Sequence, residues 1–406
     1  MTNEPADDAG TFPTDNAIAP MRVLHVIASV DPKYGGPIEG VRQLATAGLA
    51  WQQQTDVVSF DAPGHAFLEG NVFRTIPLGP SLGTYGYNTR LVPWLLANIR
   101  NYHAVIVNGL WQFNGISTWR IATRLGVPYC VFPHGMLDPW FKQEYPLKHL
   151  KKLAYWMAVE RRVLGDAAAI FFTCEEERLL AQQTFPGYRA REIVTGYGTA
   201  GPVGFMADPC RELFFSAYPA LRSKRLVLFL GRVHEKKGCD LLIKAFATVA
   251  KHDPSLNLVM AGPVSGSIGA ELNALAESLG IAHRVAWTGM LGREMKWGAY
   301  YAAELFALPS HQENFGISVV EALACGVPVA ISDKVNIWRE IAADGAGIVG
   351  HDTVDGTVTT LSQWFSRDAA QRATMRDAAR RSFESRFEIS GMSLRLHDTL
   401  LALARP

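Results

Sequence analysis

Twelve short runs of aliphatic and β-branched residues alternate with stretches of helical periodicity, and they fall into two sets around a glycine- and proline-rich segment. The first set is 23–28, 56–60, 104–108, 129–132, 168–173 and 193–195. The second is 225–230, 256–261, 285–287, 305–308, 327–331 and 348–349. The runs are nearly uniform in apolar character rather than alternating, which suits parallel strands covered on both faces. Helical stretches such as 38–50 and 146–164 lie between them. The pattern therefore predicts βαβ units in open parallel sheets. The break at 196–218 carries Gly196, Gly198, Gly201, Pro202, Gly204 and Pro209, and it reads as a linker. The expected division is a disordered tail at 1–20, a first α/β domain at 21–203, a linker at 204–221 and a second α/β domain at 222–385. A final helical segment follows at 386–406, with a break near Ser390 and Gly391. Ligands of such sheets bind beyond the carboxyl ends of the strands. Two such edges facing one another would make a deep cleft.

A length of 406 residues suits two domains of ordinary size. The net charge of +1 excludes a global electrostatic footprint for nucleic acid. Cys130, Cys174, Cys210, Cys239 and Cys325 are scattered without CxxC spacing. That argues against a disulfide framework or a zinc site and for a reducing, cytoplasmic setting. The first twenty residues hold Glu4, Asp7, Asp8 and Asp15 but no Lys or Arg, unlike a secretory signal. No apolar run approaches the roughly 20 residues needed to span a bilayer. The expectation is a soluble protein, in contact with a membrane at most peripherally.

Two segments carry the chemistry. In 308–328 a strand ends near Ser310, a polar loop holds Glu313, and a helix opens at Gly316 with Glu321 one to two turns inside. The free N–H groups of such a first turn can receive a phosphate. Glu313 is placed to accept hydrogen bonds from sugar hydroxyls, and Glu321 to reach a ribose diol. In 230–238 a strand leads into a loop bearing Arg232, Lys236 and Lys237. A diphosphate leaving a sugar gains negative charge in the transition state, and cations stabilise it. The chain contains no Asp-x-Asp pair to hold a metal, so Arg232, Lys237 and a helix N-terminus are expected to take that role without one.

With these motifs in place, the chain resembles glycosyltransferase family 4, the retaining enzymes with two facing Rossmann-like domains (the GT-B architecture). The resemblance rests on Glu313-x7-Glu321, on Gly231-Arg232 with Lys237-Gly238, on Gly326-Val327-Pro328, on Gly35-Gly36 and on the turn Pro133-His134-Gly135. It implies a nucleotide-diphosphate sugar as donor, linked to uridine or guanosine diphosphate, and no cofactor or metal. It implies that Arg232 and Lys237 contact the diphosphate, and that Glu313 holds the sugar with the Asn314, Phe315 and Gly316 backbone beside it. Ile317 opens the phosphate-binding turn, and Glu321 binds the ribose. Met290 and Leu291 flank the base, Gly231 lines the donor, and His134 sits beside the reacting centre. Gly35 and Gly36 let the backbone approach donor and acceptor. Asn108 and Trp111 stand on the acceptor side, in Asn108-Gly109-Leu110-Trp111, where relatives often carry His-Gly before the aromatic. The last helix is implied to cross back to the first domain.

Each element also has an ordinary reading. Gly35-Gly36 suits a plain turn, Glu313 and Glu321 a helix-start acid and a solvated acid, Lys236-Lys237 a surface pair, and His134 a turn histidine. Their joint order at successive strand ends favours the transferase. A saccharide or lipid-linked saccharide is the expected acceptor, in assembly of a cell-surface polysaccharide or glycolipid. The rival from another class is a non-catalytic sugar-nucleotide-binding or scaffold protein of the same fold. In 142–162 the helical pattern places Leu147, Leu150, Leu153, Ala154 and Met157 on one face. Lys148, Lys151, Lys152 and Arg162 lie on another. The ordinary reading packs the apolar face on the first sheet, and the alternative is a patch for anionic lipid.

Overall fold

The computed structural model describes residues 20–264 and 266–404, so the tail expected at 1–20 lies, apart from Pro20, outside the described residues. A seven-stranded sheet is built from β1 (Arg22–Val26), β2 (Gln54–Ser59), β3 (Arg74–Pro77), β4 (Ala104–Asn108), β5 (Tyr129–Phe132), β6 (Ala169–Phe172) and β7 (Glu192–Val194). Its order is β3-β2-β1-β4-β5-β6-β7, with parallel pairings. A six-stranded sheet follows from β8 (Arg225–Leu230), β9 (Leu256–Ala261), β10 (Val285–Gly289), β11 (Leu305–Leu308), β12 (Val329–Ser332) and β13 (Gly347–Gly350). Its order is β10-β9-β8-β11-β12-β13, again parallel. Both sheets are doubly wound. Their order reverses between β1 and β4 and between β8 and β11, and a ligand crevice opens beyond the carboxyl ends at such points.

The apolar runs become strands because they are buried on both faces. Val105, Ile106 and Val107 of β4, and Leu258 and Val259 of β9, are essentially inaccessible. Each such side chain contributes about 1.5–3 kcal/mol on burial. Strand β3 was not foreseen. Its sequence, Arg-Thr-Ile-Pro, is only half-buried at the sheet edge, where a proline is tolerated.

Two expectations about helices are corrected. The stretch read as a linker at 204–221 contains a helix, Ala207–Ala217, whose buried Cys210 and Phe214 belong to the second core. Pro209 lies in its first turn, where a missing N–H costs nothing. The break expected at Ser390 and Gly391 falls at Glu388, whose extended backbone separates the preceding helical turns from the helix Ile389–Ala404. That last helix sits on the first half: Ile389, Leu396 and Leu400 share a core with Val23, Leu44 and Phe132. No helix among the described residues is long and apolar enough to cross a membrane.

The stretch 146–164 runs as the helix Pro146–Tyr155, a widened turn at Trp156–Glu160 and the helix Arg161–Gly165. Its apolar stripe does not pack on the sheet. Leu147 is 82% exposed, Leu150 67% and Met157 50%, with Ala154 also exposed, while Leu153 alone of the five turns inward. The inner side is instead set by Trp156 and His149, which both stack on Phe185 at 4.9 Å. Burying an indole outweighs burying small aliphatic tips, and the widened turn shifts the helix phase to allow it.

Candidate functional site

The second-half site is built where β8 and β11 end. The loop after β8 forms a turn at Glu235–Lys237, and the His234 side chain accepts from the Lys236 N–H. This turn brings the Lys237 ammonium against the Glu313 carboxylate across the switch point. Burial, with Arg232 and Lys236 as neighbouring cations, lowers the Lys237 pKa to about 8, and the Glu313 contact works in the opposite direction. Arg232 is exposed at the same edge. The Glu313 loop is pinned by its neighbour, with Glu313 N donating to Lys334 O at 2.9 Å and Asn336 N donating to Glu313 O at 3.0 Å. Gly316 then caps the helix Ile317–Ala324 in the left-handed region (φ +80), a conformation strained for residues with a Cβ. The N–H groups of the first helical turn have no intrahelical acceptor.

Glu321 lies largely buried in that helix. Its carboxylate accepts from Lys296 Nζ at 2.7 Å and from the Tyr300 hydroxyl at 3.0 Å. Sequence reasoning missed both partners, because they stand on the separate helix Arg293–Ala302 and no local spacing links them. Gly231 follows β8 and its N–H donates to Ala261 O at 2.9 Å. Met290 is 80% exposed, whereas Leu291 packs against the second core. The Phe315 side chain is not free to line a donor. It is buried edge-on to Tyr197 and Phe387, so only its backbone borders the loop.

The first-half site surrounds a cavity of about 670 Å3 lined by Ser29, Tyr34, Asp61, Asn108, Gln112 and His134, among others. His134 adopts φ +50 and stacks on Phe132 at 5.5 Å. Its Nε2 donates to Asn108 Oδ1 at 3.1 Å, and Asn108 Nδ2 donates to His25 Nδ1 at 3.2 Å. Burial lowers His134 to about 4; burial, with His134 as a further cause, lowers His25 to about 3. Both rings are therefore neutral near pH 7. An amide oxygen only accepts, so the pairing fixes Nε2 as the protonated nitrogen of His134. Gly35 lies in the turn before the helix Gly36–Gly48, and Tyr197 Oη donates to Gly36 O at 2.7 Å. Neither His25 nor buried Glu177 stands in a local pattern that would single it out. Glu177 accepts from Gly135 N at 2.7 Å, from Thr173 N at 2.7 Å and from Thr173 Oγ1 at 2.6 Å, and so braces the His134 turn.

The two sites meet. A Cβ on Gly135 would lie 2.7 Å from Asn314, and its φ is +74, so glycine is the residue that lets the loops touch. Asn314 Nδ2 donates to Thr173 Oγ1 at 3.4 Å, and Gln312 Nε2 donates to Asp138 Oδ2 at 3.2 Å. The turn bearing His134 and the loop bearing Glu313 thus face one another across the cleft. Lys148, Lys151 and Arg162 lie exposed on the outer surface. Lys152 does not belong with them: it is half-buried, its Nζ 5.1 Å from the ring centroids of both Trp111 and Phe141. No group of three or more His, Cys, Asp or Glu side chains that could hold a metal ion occurs among the described residues.

Two doubly wound halves with facing switch points define a two-lobed enzyme class that works on ligands held in a shared cleft. The family described as "Glycosyl transferases group 1" matches residues 211–382, and "Glycosyl transferase 4-like domain" matches 35–198. The D-inositol 3-phosphate glycosyltransferase of Mycolicibacterium gilvum is 37% identical over 411 residues, covering 91% of this chain and 86% of that protein. The protein of the same name from Rhodococcus opacus is 34% identical over 380 residues, covering 84% and 80%. Sucrose-phosphate synthase of Thermosynechococcus elongatus superposes with a TM-score of 0.74 at 20% identity, covering 94% of this chain and 99% of that one. Anabaena HepE in complex with UDP and glucose gives 0.74 at 17%, covering 94% and 100%. The chain belongs to the family-4-like glycosyltransferases of GT-B type, and it is a sugar-transferring enzyme.

Proposed function

We propose that the chain transfers a sugar from a UDP- or GDP-linked donor to a hydroxyl of a saccharide or lipid-linked saccharide, with retention and without a metal ion. The observation that carries this reading is the contact of Lys237 with Glu313 beside Arg232, opposite the turn that bears His134. A donor diphosphate would draw Lys237 and Arg232 to itself, and with the first-turn N–H groups of Ile317–Ala324 they would stabilise the charge it gains as the bond breaks. Its arrival would release the Glu313 carboxylate to the sugar hydroxyls. Glu321, fixed by Lys296 and Tyr300, would accept from the ribose. Neutral His134 would offer a hydrogen bond rather than a charge at the reacting carbon.

Asp61, the acid among the described residues lining the first-half cavity, is engaged by Ser29 Oγ at 2.5 Å and Val30 N at 2.8 Å. That leaves it poorly placed as a nucleophile. It favours a front-face reaction, in which the leaving diphosphate takes the proton of the acceptor hydroxyl. The relatives' names favour a phosphorylated polyol among the acceptors, and HepE favours UDP. The setting we propose is the cytoplasmic side of a pathway that assembles surface polysaccharide or glycolipid. The exposed Leu147, Leu150 and Met157, beside Lys148, Lys151 and Arg162, support peripheral contact with an anionic membrane.

Thermal unfolding with UDP, GDP and ADP tests the donor site. One diphosphate should raise the melting temperature in metal-free buffer, and Lys237→Ala should abolish the rise. No stabilisation by any of them would favour the scaffold reading.

A further inference from the structure

The first-half cavity does not end at Gln112. A second hollow of about 500 Å3 shares Thr84, Gln112 and Met136 with it and continues to Tyr85, Trp111, Phe141 and Lys152. Trp111 stands at the junction with φ +68, a left-handed backbone that is strained for a bulky residue. Its buried indole Nε1 has no hydrogen-bond partner. The indole Nε1 is closed off from the groove, so what Trp111 offers a ligand there is its ring, which lines the second hollow.

The charge at the far end is only partly compensated: Asp138 acts on Lys236, but no ion pair reaches Lys152 among the described residues. Lys152 Nζ lies over the Trp111 and Phe141 rings, and Lys236 Nζ lies 4.4 Å from the Phe141 centroid and 4.3 Å from that of Trp140. The groups that act on Lys152 besides burial are the cations Lys236 and Lys148, and all of these disfavour its charge. Among the described residues no carboxylate pairs with it. A half-buried ammonium with two other cations near it gains from an anion, which favours its charged form and accepts a charge-assisted hydrogen bond. The aromatic walls beside it suit the apolar faces of sugar rings.

We infer that this groove is an extended acceptor site, and that Lys152 receives an anionic group, phosphate or carboxylate, carried by the acceptor beyond its reacting hydroxyl. The inference rests on the transferase reading above. The shared chemistry has three sources: the diphosphate of a lipid-linked acceptor, a sugar phosphate and a uronate. Lys152 lies on the same helix as the exposed Leu147 and Leu150, so a lipid-borne diphosphate would reach it from that surface.

Calorimetry separates the sources and tests the site. Glucose 6-phosphate, glucuronate and farnesyl diphosphate are each titrated against glucose, methyl glucuronate and farnesol, with and without a saturating nucleoside diphosphate. At least one anion should bind about tenfold or more tightly than its neutral counterpart, and the anion that does so names the source. The preference should vanish in Lys152→Met and survive at least in part in Lys152→Arg, which keeps the charge. An anion preference absent from the wild type, or one that survives Lys152→Met, overturns the inference. Failure of the transferase reading would appear separately, as no binding of any nucleoside diphosphate.

Discussion

Burial decides the charge state of several side chains around the cleft, and Glu160 shows it most simply. It lies behind Trp111 and is almost inaccessible, and burial raises its pKa from 4.5 to about 8, opposed by the Trp111 backbone. Between those values the folded chain keeps a proton that the unfolded chain has lost. Wild-type stability therefore falls as pH rises through this window. A glutamine at the position does not titrate, so Glu160→Gln should gain on the wild type as pH rises. The gap should widen between about pH 5.5 and about pH 8.5, with a ceiling of about 1.4 kcal/mol per pH unit. Urea unfolding at both pH values checks this, and a constant gap would mean that Glu160 is ionised in the fold. Residues of this kind were invisible in the sequence. Glu313 and Lys237 could be picked out because each lies in a loop between a strand and a glycine that precedes a helix, but Glu160, Glu177 and His25 act through neighbours that only the fold brings near.

At the level of elements, uniform apolar runs were a reliable guide. The runs at 104–108, 129–132, 225–230, 256–261 and 305–308 are strands with those limits, because both faces of each are buried. Polar, half-exposed β3 lacks that signal. The helix Ala207–Ala217 was hidden by the glycines and prolines around it. The helix Pro146–Tyr155 misled for a different reason: periodicity locates an apolar face but does not say what it faces. Here it faces outward. Leu147→Ser with Leu150→Ser should therefore leave the melting temperature nearly unchanged, since surface substitutions are usually within about 0.5 kcal/mol. The same pair should markedly reduce cosedimentation with anionic liposomes. A large loss of stability, or unchanged liposome binding, would show that this face does not meet lipid.

Across the whole molecule, the arrangement follows from two topological switch points turned toward each other. The loops after β1 and β4 hold the first cavity, those after β8 and β11 hold Arg232, Lys237 and Glu313, and Gly135 against Asn314 joins them. The closing helix Ile389–Ala404 returns to the first half, so the chain crosses between the lobes twice. The division into lobes was legible from the repeat of the strand pattern. The contacts that close the cleft, such as Arg339 Nε to Glu176 Oε2 at 2.6 Å, were not, because they join residues far apart in sequence. Donor turnover is the property of the cleft that decides its role. Release of nucleoside diphosphate from a panel of UDP- and GDP-sugars, with a chelator present, should be measured for the wild type and Glu313→Gln. One donor should be turned over by the wild type, and the variant should be slower by about a hundredfold with its melting temperature kept. Release from none of the donors, or release that Glu313→Gln leaves intact, would contradict the claim that the Lys237–Glu313 site is where the sugar is transferred.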